Sequence, residues 1–301
     1  MSDLRAWYSE LSTWGRWGPD DDRGTLNYIG QGELATAVAL ARDGAAVSCA
    51  LPVAVDTVGL DELAPGVRPQ RVVISDATDP APTGQRVVAY DAVLVAPHGP
   101  IVTHLDAPRH TVVDGVSYNG IEAGAPGPRG TVEAAAGGIV GRGVLLDVAR
   151  HHGRAWLDDG EAIMPADLEA CEQAASIRVG QGDIVFVRTG YRARLPGGPS
   201  ERHAPRPGLQ AACLPWLYER RVAVIAADVA IDVIPHGYDE IGLPIHAIGM
   251  WAMGLWLVDN CQLEPLGAFC EGRNRWEFLA VLAPLPIQDA TGSPINPLAI
   301  F

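Results

Sequence analysis

The chain has 301 residues, 48% of them hydrophobic, which is enough apolar material for a substantial core and too much for a disordered chain. Its 36 acidic against 22 basic side chains give a net charge of −14, with no Lys/Arg-rich run, so nucleic acid is excluded as an expected partner. No apolar run of about 18 residues offers a membrane span, the opening Met1-Ser-Asp-Leu-Arg-Ala-Trp7 lacks a signal-peptide core, and five cysteines without a C-x-x-C pair argue against a disulfide framework, so a reducing, cytoplasmic setting is expected.

Residues 1–30 read as an N-terminal arm on one domain spanning 1–301. Trp14 and Trp17 sit among loop-forming Gly and Pro, either as packing anchors or as an aromatic wall for a planar substrate. Residues 31–43 carry apolar positions at helical spacing, with Gly44 as a stop. A strand is expected around 46–53, then a long Gly/Pro loop over 56–71 and a turn at 79–85. Residues 87–95 and 101–105 are rich in β-formers. A strand follows at 139–148, a helix at 165–175 with Pro165 in its first turn, and a strand at 183–188. The polar Pro/Gly segment 194–208 reads as a lid, an interface arm or a passive surface loop. A helix at 209–219 and a buried strand at 222–229 complete the expected elements. Strands and helices mix without a clean βαβ rhythm. There is no Gly-rich nucleotide fingerprint and no G-x-S-x-G nucleophile turn.

Chemistry concentrates in His98-Gly-Pro-Ile-Val-Thr103-His104-Leu-Asp106-Ala-Pro108-Arg-His110, where three of the eight histidines and an Asp fall within 13 residues. Imidazole is the commonest metal ligand among side chains, and a carboxylate beside it adds a second donor type. On an extended segment His104 and Asp106 point to one side, roughly 6.6 Å apart. His98 shares their parity but lies roughly 20 Å away on a straight strand. It joins them only if Gly99-Pro100 bends the chain. Pro108 ends the strand and places His110 to turn back over the site.

Thr103 to His110, T-H-x-D-x-P-x-H, resembles the signature H-x-G-T-H-x-D-x-P-x-H of the cyclase family of metal-dependent hydrolases, which includes bacterial kynurenine formamidases and isatin hydrolases. Trp14-Gly-Arg-Trp17-Gly-Pro-Asp20-Asp-Asp-Arg23-Gly-Thr-Leu-Asn27, Tyr118-Asn119-Gly120, Gly143-Val-Leu-Leu-Asp147, Val187-Arg188-Thr189-Gly190 and the ending from Ala283 to Pro297 resemble the family in the same order. The resemblance implies an α/β fold, a single compact domain with a mixed, partly barrel-like sheet flanked by helices, of the swivelling β/β/α type. It also implies a homodimer or homotetramer. The family's first metal-binding His falls on Pro100, and the Gly before Thr is Val102. Three outcomes stay open: His98 replaces the missing ligand, the ion has fewer protein ligands, or the site works without metal. The family's later His and Glu correspond best to His246 and, one residue out of step and shorter, Asp259. Glu264 is a weaker match.

The function expected is a hydrolase of amide, lactam or lactone bonds in a small carbonyl substrate. One divalent ion, Zn²⁺ or Mn²⁺, is expected on His98, His104, Asp106, His246 and Asp259. His110 is the expected general base, and Thr103 orients a ligand or a reacting oxygen. A cyclase or dehydratase of secondary metabolism, metal-free in one form, and a non-catalytic binding relative are the alternatives. Asp228, after an apolar strand, reads as a structural acid capping a turn or as support for a catalytic His. His151, His152, His203 and His236 read as surface residues.

Overall fold

The structure is a computed structural model that describes residues 4–53, 69–76, 89–195 and 204–301. The expected turn at 79–85, most of the loop at 56–71, the centre of the 194–208 segment and His203 lie outside the described residues.

Among the described residues nine strands share one sheet: β1 Ala46–Ser48, β2 His104–Asp106, β3 Ile139–Asp147, β4 Ile184–Arg188, β5 Val224–Ala227, β6 Trp256–Asp259, β7 Glu277–Leu282, β8 Gly292–Pro294 and β9 Leu298–Ile300. Their spatial order is β1-β9-β7-β3-β4-β5-β6-β2-β8. Strands β3 to β6 run parallel, and the rest join antiparallel. The sheet is therefore mixed, and it curls into a half-barrel.

The parallel centre follows from composition. Ile184-Val-Phe-Val-Arg188 and Val224-Ile-Ala-Ala227 are buried at every position. Such unbroken apolar runs suit strands covered on both faces. Alternate side chains feed two cores. Val144, Leu146, Val185, Val187, Ile225 and Leu257 enter one. Leu145, Ile184, Phe186, Val224, Trp256 and Val258 enter the other. All five cysteines are buried free thiols.

The main helices are α1 Gln31–Val38, α2 Pro165–Ala175, α3 Cys213–Arg220 and α4 Glu264–Arg273. Helix α2 covers the expected span. Pro165 opens it, Asp167 accepts from the Met164 N–H at 2.7 Å, and Ser176 closes it in the left-handed region. Helix α1 stops five residues short of expectation: the Leu40 and Ala41 N–H groups tighten onto the carbonyls of Ala37 and Val38, and the Asp43 N–H then turns to the Phe301 carbonyl. Helix α3 starts four residues late, since Gly208-Leu209 pairs with Ala162-Ile163 as a short parallel bridge. The strand expected at 46–53 is regular only over Ala46–Ser48. Of 101–105, only His104 and Leu105 are regular strand, and the strand runs on to Asp106.

The arm is tied to the body by residues of the other resembling segments. Asn119, at φ 56, donates to the carbonyls of Gly18, Pro19 and Asp21, and its own oxygen accepts from Gly15 N–H. Thr13 donates to Met253 O, and Thr25 to Ala223 O. A separate ribbon, Gln70–Asp76 with Ala89–Leu94, pairs only with itself among the described residues. Among the described residues, no helix is long and apolar enough to cross a membrane.

Candidate metal centre

The centre starts from β2. In the antiparallel registers Asp259 on β6 lies opposite His104, and Gly292 on β8 lies opposite Asp106. Residues directly opposite share a face of the sheet. His104, Asp106 and Asp259 therefore converge, while the Gly292 position carries no side chain. That gap is filled: a Cβ on Gly292 would stand 2.4 Å from Cε1 of His98.

His98 arrives by the bend. Gly99 has φ 124, a region open to glycine. The turn brings His98 Nδ1 to 2.8 Å from Asp106 Oδ1, and His98 Nε2 sits 3.2 Å from Thr291 Oγ1. Pro108–His110 forms a short 3-10 turn, and the His110 ring stacks on His98 with centroids 4.0 Å apart. His104 Nδ1 donates to Val102 O at 2.8 Å, which leaves Nε2, 3.6 Å from Asp106 Oδ1, with its lone pair toward the centre.

The far side comes from the C-terminal half. His246 is the second residue of a π-helix, Ile245–Met250. Asp232 accepts from Ile245 N at 2.7 Å and from His246 Nδ1 at 2.6 Å, fixing both the helix start and the ring. His246 Nε2 is then 3.3 Å from Asp259 Oδ2 and 3.8 Å from Asp106 Oδ2.

Asp106 is wholly buried, and among the described residues neither of its carboxylate oxygens meets an aligned hydrogen-bond donor. Native proteins rarely leave such a group unsatisfied. Donor atoms of His98, Asp106 and His110 lie within 4.8 Å of one another, and so do those of His104, Asp106 and Asp259. Imidazole nitrogens and carboxylate oxygens so grouped are a donor set that fits a divalent cation. The charges agree. Burial alone would raise the Asp106 carboxyl, but the surrounding His104, His110 and His98 hold it below the usual carboxylate range. Burial first, and then the other imidazoles, push His110 down to about 4 against the pull of Asp106. Burial opposes charge on His246, yet Asp259 and Asp232 raise it well above the usual imidazole value.

Other expected site residues lie elsewhere. Thr103 has opposite parity to His104. Its hydroxyl donates to Asn260 O at 2.6 Å and accepts from Leu51 N at 2.8 Å, so it anchors backbone beside the centre. Trp14 packs on Trp251 at 4.3 Å and donates to its carbonyl, just past the His246 helix. Trp17 packs edge-on against Tyr28 within the arm. Asp228 caps the Thr189-Gly190 turn, and Glu264 pairs with Arg188. His151 and His152 are exposed, whereas His236 is half-buried against Tyr238. Sequence reasoning missed Asp232, Asn260 and Gly292. An Asp inside the apolar run Val229-Ala-Ile-Asp232-Val-Ile234 was the one available signal.

Residues 41–233 match the model of the family described as "Putative cyclase". A solved structure described as a novel cyclase is 30% identical, with a TM-score of 0.83 over 98% of this chain and 99% of that one. The chain belongs to the cyclase family. Isatin hydrolase A from Ralstonia solanacearum shares the fold at 20% identity, with a TM-score of 0.64 over 88% of this chain and 95% of that one. A structure described as a potential metal-dependent hydrolase with cyclase activity shares it at 15% identity, with a TM-score of 0.52 over 85% and 98%. A comparison with curated proteins gave no match. The latter two structures are hydrolases by description, and at their level of identity they share the fold with this chain.

Proposed function

We propose that this cyclase-family chain is a metal-dependent hydrolase that opens an amide, lactam or lactone bond of a small carbonyl substrate. The carrying observation is Asp106, a fully buried carboxylate ringed by imidazoles with, among the described residues, no aligned hydrogen-bond donor on either oxygen. His98 through Nδ1, His104 through Nε2 and Asp106 would hold a divalent ion, with Asp259 and His246 bordering the same space. Of the three outcomes left open by Pro100, this is the one in which His98 replaces the missing ligand. Nitrogen and oxygen donors suit both Zn²⁺ and Mn²⁺. When bound, such an ion supplies Lewis-acid polarisation of a carbonyl and acidifies water.

The side chains do the rest. Burial pushes the His110 imidazole down to about 4, which favours the neutral ring, whose nitrogen can accept a proton from the attacking water and return it to the leaving group. His246 is held by Asp232 with Nε2 facing the centre, where it can donate to a developing negative charge. A second reading, a cyclase or dehydratase that moves protons with the same residues, draws its support from Pro100 at a ligand position.

Elemental analysis after dialysis against Zn²⁺ or Mn²⁺ should find about one ion per chain, and a chelator should abolish hydrolysis of formamides, isatin or lactones. No stoichiometric ion, with activity indifferent to the chelator, would favour the second reading. His110→Ala should cut turnover by roughly 10²-fold or more while the metal content stays. Loss of the ion along with activity would make His110 a ligand instead, and near-full activity would pass the proton to His246.

A homodimer belongs to this reading. Val72, Val73, Ile74, Tyr90, Val93 and Leu94 are all exposed on the self-paired ribbon. A lone two-stranded ribbon is marginal in water. Two copies meeting about a two-fold axis would cover these side chains and extend the pairing. Val72→Asp with Val93→Asp should therefore shift the species seen by light scattering from two chains to one. A wild-type chain that is already a monomer at micromolar concentration removes the proposal.

A further inference from the structure

Two buried polar side chains outside the donor set converge on the bend that carries His98. Asn260 is 1% exposed and Arg192 is 2% exposed. The Asn260 amide donates to Gly99 O at 2.7 Å and reaches Val102 O at 3.4 Å. Its oxygen accepts from Arg192 Nη2 at 2.7 Å, and the same Nη2 donates to Pro100 O at 2.8 Å. Arg192 is anchored in turn by Nε donating to Asp228 O at 3.1 Å. Asn260 follows Asp259 directly and sits at φ 59, a left-handed conformation that Asn tolerates. Thus three segments far apart in the chain, at 99–102, at 192 and at 260, are tied together by one amide and one guanidinium.

We propose that Asn260 and Arg192 are positioning residues for His98: by clamping the carbonyls of Gly99 and Pro100 they fix the bend that carries the His98 ring into the space Gly292 leaves beside Asp106. This deepens the reading of the centre as a metal site and rests on it. The clamp answers a problem specific to this sequence. With Pro100 unable to ligate, the donor comes from two residues earlier, across a glycine at φ 124 that would otherwise sample many conformations. Outer partners that orient a metal ligand typically contribute about 10–100-fold in affinity.

The test is a double-mutant cycle on Co²⁺ binding, read by chelator competition and by the visible absorption of the bound ion. Asn260→Ala should weaken Co²⁺ by about tenfold or more and give the spectrum of His98→Ala. The double variant should bind no more weakly than His98→Ala alone. Should the alanine variant not fold, Asn260→Asp keeps the size and the acceptor for Arg192 but loses the donor to Gly99. Its added negative charge would strengthen cation binding, so a loss of affinity there can come only from geometry. Wild-type affinity and spectrum in either variant, or losses that simply multiply in the double variant, would overturn the clamp. If the wild-type chain itself binds no Co²⁺, the metal reading fails, and the His98 ring protons decide the clamp. In the metal-free protein they should carry the ring-current shift of stacking on His110, and Asn260→Ala should remove it; an unchanged shift rejects the clamp.

Discussion

Asp106→Asn should leave a folded protein that holds no stoichiometric divalent ion and has no measurable turnover. The two halves of that result have different causes. Asparagine keeps one oxygen for His98 Nδ1, which stands 2.8 Å from Asp106 Oδ1, and among the described residues no aligned backbone donor depends on the carboxylate, so an amide of equal size leaves β2 and its neighbours paired. The same replacement removes the one negative charge that His98, His104 and His246 all face. The loss of affinity should exceed the about 10–100-fold that outer partners of a ligand contribute. Thermal melting and elemental analysis on one preparation check both halves. A variant that retains one ion per chain would show that the centre is organised around another residue, with Asp259 the first to examine.

Asp228→Ala is expected to be the most damaging change to stability among the residues described. The Asp228 carboxylate, with no exposed surface, accepts from Thr189 N at 2.9 and 3.1 Å, Thr189 Oγ1 at 2.7 Å and Gly190 N at 2.8 Å. Burial pushes its carboxyl up to about 6 against those bonds. Alanine leaves three buried donors unpaired, each costing about 1–3 kcal/mol, so a loss of about 3 kcal/mol or more is expected in denaturant unfolding at pH 7. Asp228→Asn, which keeps one acceptor, should lose less than half of that. A loss under about 1 kcal/mol for the alanine variant would mean that water or a shifted backbone satisfies the turn. The effect should reach the metal centre too, since the capped turn leads directly into Arg192.

How much of this was readable from the sequence depended on where the partners lie. His104 and Asp106 declared themselves because strand parity is a local property, and the Gly99-Pro100 bend because glycine and proline advertise turns. The start of the helix at 165–175 was legible for the same reason, since a proline in the first turn is a local signal. The registers were not legible. That Gly292 faces Asp106, or that Asn260 reaches Gly99 across 161 positions, follows from which strands become neighbours, and no local pattern states that. Asp228 and Asp232 look alike in sequence, four apart in one apolar run. Only the fold sends one to a distant turn and the other to His246. Helix α1 was overestimated in part because the Phe301 carbonyl, 258 residues beyond Asp43, takes the Asp43 amide at its expected end.

The place of β2 in the sheet bears on how the protein comes into being. Its two neighbours are Trp256–Asp259 and Gly292–Pro294, so the motif at 98–110 gains both flanks only from strands made far later in the chain. Contacts of such sequence separation form late and slowly. A nascent chain therefore exposes clustered histidines and a carboxylate to the cell long before any closed cage exists. On the metal reading proposed above, selection of the ion belongs to the finished sheet, and a ribosome-bound fragment carrying the whole motif would be unable to discriminate between metals.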